Sequence, residues 1–414
     1  MNRVKLFFTR TLPLFLADFG PATIAAVADN DAAGVTTYSI AGAKFGYSIL
    51  FILMLITFLL AITQEIGIRI GIVTGKGFAD IIRERYGIKV AILVFVMLFI
   101  ANVGNVITDM SALKATGIMF GIPIIPFVLI VIVFCFIFVT QGNYEANQKI
   151  FLVGIFLYVA YIFSAFKAQP HWPEALKSIV YPTGLKLTRE YVITAVAVLG
   201  TTITPWGQFF IQSFVNDKKL TLDKLKFSQI ETYFGAFFTN FFSFFMVVAT
   251  AATLYIHNIP LDSGERAALA IKPFAGELAG VLFGVGLINA AIMGVVIISL
   301  STAYAFSEFF GYEGSLDTAF NKGRLFYFLF LIQLLIAAGV ILIPGISLFT
   351  IVVITQFINA SMLPVIFYFL LKISNDKEIM GENVNSKWYN YVLIVASIVI
   401  IIAALFTAVT IFIT

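Results

Sequence analysis

Asp29, Asn30 and Asp31 stand side by side inside a long apolar stretch, and no lysine or arginine occurs from Thr11 to Ala43. An ionised carboxylate costs at least ~2.5–3.5 kcal/mol at the centre of a membrane helix and needs water or a partner there. One acid alone could pair with a lysine or a freed backbone amide. Two acids flanking an amide, with no base nearby, point instead to a bound cation. A second apolar stretch is interrupted by Gly200-Thr201-Thr202-Ile203-Thr204-Pro205-Trp206-Gly207. Pro205 removes a backbone donor and clashes with the preceding turn, so a straight helix is not expected there. Unwound backbone frees carbonyls, and the threonines add hydroxyls. The donor set is oxygen only, which suits Mg²⁺, Ca²⁺ or Mn²⁺ and does not favour softer metals. Asp31, Asp29, Asn30, Thr201 and Thr204 are the candidate ligands.

The elements that must hold these residues follow from composition. The chain has 414 residues, 60% hydrophobic and 12% charged, with 45 phenylalanines. Its mean hydropathy is +1.00. A soluble domain is roughly 45–50% apolar and about 25% charged, so this few charges cannot cover a soluble surface. The values exclude a soluble enzyme, a disordered chain, a disulfide scaffold and a nucleic-acid-binding domain. Unbroken apolar runs exclude a membrane β-barrel, whose strands alternate. The single cysteine, Cys135, allows no internal disulfide and no thiol metal cluster. His171 and His257 fall at expected loop or helix-end positions, which argues against a histidine metal site or proton relay. Thr74-Gly75-Lys76-Gly77 lacks the glycine spacing and the following hydroxyl of a phosphate-cradling loop. Energy is therefore expected from ion gradients or membrane potential, with no enzyme activity and no cofactor.

Apolar runs fall at 13–43, 47–72, 90–113, 122–140, 148–167, 190–214, 228–257, 277–307, 325–343, 346–371 and 388–413. Each is near or above the ~20 residues needed to cross a bilayer as a helix. The expectation is an all-α integral membrane protein with eleven spans. Met1-Asn2-Arg3-Val4-Lys5 leads into the first run without a small-residue cleavage site, so a first membrane helix is expected and not a removed signal. Lysines and arginines favour one set of loops by about two to one, which places the N-terminus in the cytoplasm and the C-terminus outside the cell (inner) membrane. Each polar interruption lies near the middle of its span, and each span opens a group of five. Paired interrupted segments in two halves mark a transporter site near the bilayer midplane. Five helices per half is an odd number, so the repeats, 13–168 and 189–372, are inverted. Residues 388–413 add an eleventh helix to a single transport domain over 1–414. The expected partners are the ion and the lipid bilayer, with no nucleic acid and a monomeric chain.

Ala41-Gly42-Ala43-Lys44-Phe45-Gly46-Tyr47 resembles the end of helix 1 in the Nramp family of divalent-metal transporters. Gln64-Glu65-Ile66-Gly67-Ile68-Arg69-Ile70-Gly71-Ile72-Val73-Thr74-Gly75-Lys76, followed by Asp80-Ile81-Ile82-Arg83-Glu84-Arg85-Tyr86, resembles the family's helix 2 and the segment after it. Weaker similarity runs through Phe120-Gly121-Ile122-Pro123, Asn240, Leu282-Phe283-Gly284 and Leu363-Pro364. The resemblance implies the LeuT-type fold, in agreement with the repeats.

The departures bear on the ion. The family's helix 1 reads Asp-Pro-Gly-Asn at the metal; that quartet falls on Asp31-Ala32-Ala33-Gly34, so the asparagine ligand is Gly34. Its helix 6 Met-Pro-His-Asn falls on Thr204-Pro205-Trp206-Gly207, so a hydroxyl replaces the thioether and an indole the histidine. The helix 10 Gln-Leu-Pro falls on Met362-Leu363-Pro364. This pattern resembles the divergent Nramp-related magnesium transporters. Loss of the sulfur removes discrimination against hard ions, and glycine for asparagine is expected to enlarge the cavity for a partly hydrated ion. The family couples metal to protons through helix 3 acids and the helix 6 histidine. The acid positions fall on Asn105 and Thr108, so the proton path is expected to be dismantled. Asp109 lies about 100° from Thr108 on the helix face; the rival reading is that a register shift gives it the proton role.

Glu65 and Arg69 are expected to form a structural i,i+4 pair. Gly34, Trp206, Gly207, Asn240 and Asn359 are secondary candidates for the pathway, against the alternatives of helix breaking, packing and interhelical hydrogen bonding. The resulting expectation is Mg²⁺ uptake, with Mn²⁺ also accepted, by alternating access without proton coupling. The alternatives are a proton-coupled Mn²⁺/Fe²⁺ transporter, an ion-coupled amino-acid transporter of the same fold, whose substrate carboxylate the two aspartates would repel, and a non-transporting membrane protein that senses metal or binds a partner.

Overall fold

The computed structural model describes residues 28–141, 157–186, 188–259, 261, 277–312, 314–343 and 348–413. Helices account for nearly all of them. They are α1 (Ala32–Phe45), α2 (Ile49–Thr74), α3 (Phe78–Tyr86), α4 (Ile88–Met119), α5 (Ile124–Gln141), α6 (Val159–Lys167) and α7 (Trp172–Val180). The second half follows with α8 (Arg189–Thr202), α9 (Pro205–Asp217), α10 (Leu225–Thr250), α11 (Glu277–Phe310), α12 (Arg324–Leu342), α13 (Leu348–Ser374), α14 (Lys377–Met380) and α15 (Lys387–Ile413). Among the described residues nine helical stretches are long and apolar enough to cross a membrane. The expected spans over 13–43 and 148–167 are described only from residues 28 and 157 onward, and the basic residues before Thr11, with Lys149, Arg266 and Lys272, lie outside the described part.

Both expected interruptions are present, and both are shorter than the polar patches that announce them. Residues 29–31 are non-helical before α1 begins at Ala32. In the other span α8 runs through Thr202, and only Ile203 and Thr204 leave the helix before Pro205 opens α9. Proline is tolerated at that first helical position because its missing N–H has no intrahelical partner there anyway.

Packing puts α1 at the centre, against α10, α8, α11 and α4. Outward-facing surfaces are apolar: Leu129, Ile130, Val133 and Phe134 on α5, and Ile398, Val399, Ile402 and Leu405 on α15, are all exposed. In water such faces would demand a partner; in hydrocarbon they need none. In the phenylalanine-rich run of α10, Phe237 and Phe241 face outward while Phe242 is buried, so it serves both lipid and core. α2 ends where Gly75 turns left-handed (φ +63°) and its N–H returns to the Gly71 carbonyl.

The Glu65–Arg69 pair forms as expected, at 2.9 Å between Nε and Oε1, and both residues are buried. It is also a junction. Arg69 donates to the Asn383 carbonyl and to Asn385 Oδ1, each at 2.6 Å, and Gln229 of α10 donates to Glu65 Oε1 at 2.6 Å. One ion pair thereby ties α2 to α10 and to the segment between α14 and α15. Removing one member leaves the other charge buried, at a cost of about 3–5 kcal/mol. Arg69→Ala should therefore lower the melting temperature of the detergent-solubilised protein well below wild type, and E65L/R69M should recover most of the loss; an unchanged melting temperature for Arg69→Ala would remove this junction from the account.

Candidate functional site

The site is built on the N-terminus of α1. Asp29, Asn30 and Asp31 are each no more than 2% exposed. Their side chains point in different directions. Asp29 turns toward α2 and α9, where its Oδ1 accepts from Thr204 Oγ1 at 2.9 Å and its Oδ2 from Gln64 Nε2 at 3.2 Å. Asp31 caps α1, its Oδ1 accepting from the Gly34 N–H at 2.7 Å, a position that satisfies an orphan amide and lies where the helix dipole favours negative charge. Thr204 caps α9 in the same way, accepting from the Gly207 N–H at 3.3 Å. Both breaks thus meet at Asp29 and Thr204.

Asn30 does not join this set. Its Nδ2 donates to the carbonyl and hydroxyl of Thr239 at 2.7 and 2.8 Å, its Oδ1 accepts from Ser243 at 2.7 Å, and its backbone carbonyl accepts from Tyr158 at 2.9 Å. The expected amide ligand is instead a clamp that fastens the break to α10 and to the residue preceding α6. Asn240, next to Thr239, bonds only into its own helix through Nδ2, and its Oδ1 has no partner. Thr201 is buried at the end of α8, but the hydroxyl that reaches α1 is that of Thr202, 2.8 Å from Tyr38.

Neither glycine of the two breaks leaves open space, and the enlargement expected at Gly34 is absent. A Cβ on Gly34 would lie 2.8 Å from the Asp29 carbonyl, and one on Gly207 would lie 2.9 Å from Thr204 Oγ1 and 3.4 Å from Asp29 Oδ1. Asp29 fills what larger side chains would occupy. Trp206 is fully buried; its carbonyl accepts from Ser301 at 2.9 Å and its Nε1 has no partner. Asn359 bonds to Asn105 and Gln356, making an amide network between α4 and α13.

Asp109 enters the site from α4, where its Oδ1 accepts from the Ala32 N–H at 3.0 Å. Its offset from Thr108 hides this placement. Measured from Asn105 it is four residues on, about 40° away, and so on the same helix face. Gln64, Gln208 and Gln212 were also not singled out from the sequence. All three are buried with an unpartnered Oε1. The signal is the four-residue spacing Thr204, Gln208, Gln212, Asn216 along α9, which runs from Asp29 to a cavity of about 340 Å³ lined by Asn216, Asp80, Asp217 and Glu308. Burial holds the Asp80 carboxyl above its ordinary range, partly offset by Arg83. On the opposite side a pocket of about 180 Å³ is lined by Thr37, Lys44, Glu190, Thr194 and Gln356.

The family model described as natural resistance-associated macrophage protein-like matches residues 22–410. The chain belongs to the Nramp family. It is 23% identical over 383 residues to the divalent metal cation transporter MntH of Pectobacterium carotovorum, covering 90% of this chain and 89% of that protein. To the MntH of Bacillus subtilis it is 23% identical over 404 residues, covering 95% and 92%. The crystal structure of the Eremococcus coleocola manganese transporter, in complex with an aromatic bis-isothiourea compound, superimposes with a TM-score of 0.79 at 17% identity, covering 96% of this chain and 87% of that one. The fold of this Nramp chain is accordingly LeuT-type, as the paired breaks imply.

Among the described residues no three histidine, cysteine, aspartate or glutamate side chains converge closely enough to hold a metal alone. A cation at this Nramp site must complete its shell with hydroxyls, carbonyls and water. Asn30 and Asp31 are bonded differently, Asn30 to α10 and Asp31 to the first turn of α1. Asn30→Ala should lower thermal stability, by about 1–3 kcal/mol for the polar groups it strands, while divalent-cation affinity changes little. Asp31→Ala should abolish that affinity, while the lost α1 cap costs about 0.5–2 kcal/mol of stability. Thermal melting and Mn²⁺ titration calorimetry on both variants would check this, and equal effects on affinity would return Asn30 to the ligand set.

Proposed function

We propose that this Nramp protein is a secondary transporter of divalent cations, taking up Mg²⁺ and also accepting Mn²⁺ by alternating access, without proton coupling. The observation that carries this reading is a set of buried carboxylates at the α1 break that receives only neutral donors. Among the described residues, no lysine, arginine or histidine bonds to Asp29, Asp31 or Asp109. A divalent cation supplies the missing charge. The names of the MntH relatives and of the Eremococcus transporter support the divalent class.

The preference for Mg²⁺ rests on donor chemistry. Thr204 presents oxygen where the family resemblance places a sulfur, and Mg²⁺ takes oxygen ligands while keeping several waters. The buried amides along α9 offer such a partly hydrated ion oxygen partners on its way to the inner cavity. The same donors accept Mn²⁺, and the Eremococcus likeness favours manganese as a second reading. A doubly charged ion gains about 4.6 kcal/mol per 100 mV on moving to a negative interior, so concentrative uptake requires no proton. In this reading the chain is one transport domain of inverted repeats over 13–168 and 189–372 with 388–413 added. Its N-terminus is cytoplasmic and its C-terminus extracellular in the cell membrane, supported by the lysine and arginine bias.

Flux into proteoliposomes under a potassium-diffusion potential tests the reading. Mg²⁺ and Mn²⁺ should enter while a lumenal pH dye stays silent, and Asp31→Ala should abolish entry. Metal-dependent acidification would overturn uncoupled transport, and wild-type flux in Asp31→Ala would overturn the site. For selectivity, Thr204→Met exchanges the hydroxyl for a thioether and should raise Cd²⁺ and Mn²⁺ entry relative to Mg²⁺ by about tenfold, equivalent to ~1.4 kcal/mol. An unchanged order among the three ions would show that residue 204 does not set preference.

A further inference from the structure

Asp109 is fully buried, and its two oxygens have different fates. Oδ1 receives the Ala32 N–H, so it already caps the first turn of α1 from a neighbouring helix. Oδ2 is buried and has no hydrogen-bond partner. Capping requires only one oxygen and no charge, as serine and asparagine caps show. The second carboxylate oxygen is therefore surplus to the structural task, and a charged acceptor given no donor by the protein is among the costlier groups to bury.

The direction of that oxygen is given by Gly294 on α11. A Cβ added there would overlap Asp109 Oδ2, and it would lie 2.7 Å from Asp109 Cγ and 2.8 Å from Asp31 Cβ. Asp31 and Asp109 thus approach each other beside Gly294, one of four glycines in α11, and its missing side chain is what admits the Asp109 carboxylate there. Asp29 differs: both of its oxygens are occupied by neutral donors, Thr204 and Gln64. Arg69 is committed to Glu65, and Lys114 on α4 donates to the Ile341 carbonyl.

We propose that Asp109 is a direct ligand of the transported divalent cation, which it holds together with Asp31 beside Gly294, whose lack of a side chain admits the Asp109 carboxylate. The inference rests on the transport reading above and adds to it a carboxylate from α4 and a space requirement on α11. Two carboxylates balance a doubly charged ion, while hydroxyls and water complete a shell of hard oxygen donors. The ion then joins the break in α1 to α4 against the face of α11, so its arrival and departure act on the packing of these helices.

Mn²⁺ titration calorimetry on the full-length protein in detergent tests this. Asp109→Asn keeps an oxygen for the Ala32 amide and removes the charge; it should bind Mn²⁺ at least tenfold more weakly with an unchanged melting temperature. Gly294→Ala leaves both carboxylates in the chain and displaces that of Asp109; it should weaken binding comparably and remains informative if Asp109→Asn does not fold. Asp109→Cys replaces a hard donor by a soft one and should shift preference toward Cd²⁺ over Mn²⁺, a change that loss of a helix cap alone would not produce. Wild-type Mn²⁺ affinity in Asp109→Asn, or in a folded Gly294→Ala, together with lost binding in Asp31→Ala, overturns this inference and leaves the transport reading standing. Wild-type affinity in Asp31→Ala overturns both. Wild-type affinity in Asp109→Asn with changed pH dependence of flux assigns Asp109 to proton movement and likewise overturns it.

Discussion

Three carboxylates lie buried around one interrupted helix, and no basic side chain bonds to any of them among the described residues. Buried charge without a partner is expensive, and much of the surrounding architecture serves to make it tolerable. The opening turn of α1 directs its free amides at Asp31 and Asp109, using the positive end of a 14-residue helix. Thr204 and Gln64 supply neutral donors to Asp29. What these neutral groups leave uncompensated is the negative charge of the carboxylates, the feature on which the proposed divalent-cation site rests.

Holding such a site requires that the break be rigid where it is not ligating. Asn30 meets this need by exchanging hydrogen bonds with Thr239 and Ser243, while Tyr158 takes its backbone carbonyl. The clamp and the acids are neighbours in sequence with opposite roles: one faces α10, the others face α9 and α4. A tight turn makes this possible: the Asp31 N–H returns to the Ala28 carbonyl at 3.1 Å, and the three side chains splay from the bend in different directions. The second break works with less: Pro205 ends one helix and opens the next, and Thr204 both caps α9 and donates to Asp29.

The glycines show how a substitution can be read correctly for chemistry and wrongly for volume. Gly34 and Gly207 do remove side-chain donors from positions where the family resemblance places asparagines. They do not enlarge the site, because the Asp29 carbonyl beside Gly34 and the Thr204 hydroxyl beside Gly207 occupy the adjoining space. Gly294 lies far along the chain in an apolar run and gives no sign of function there, yet its missing side chain is what admits the Asp109 carboxylate beside Asp31.

Composition and apolar run length determined the membrane class, the helical spans and the existence of two paired breaks, because bilayer thickness and backbone hydrogen bonding act locally on each segment. The acids at the first break and the proline at the second were legible for the same reason. Which side chains meet was not. Asp109 reaches an amide 77 residues away, Gly294 faces both acids, and Asn30 turns from the site, since these facts depend on how α1 rotates and settles against α4, α10 and α11. Helical periodicity assigns a residue to a face of its own helix, and only tertiary packing decides what that face confronts.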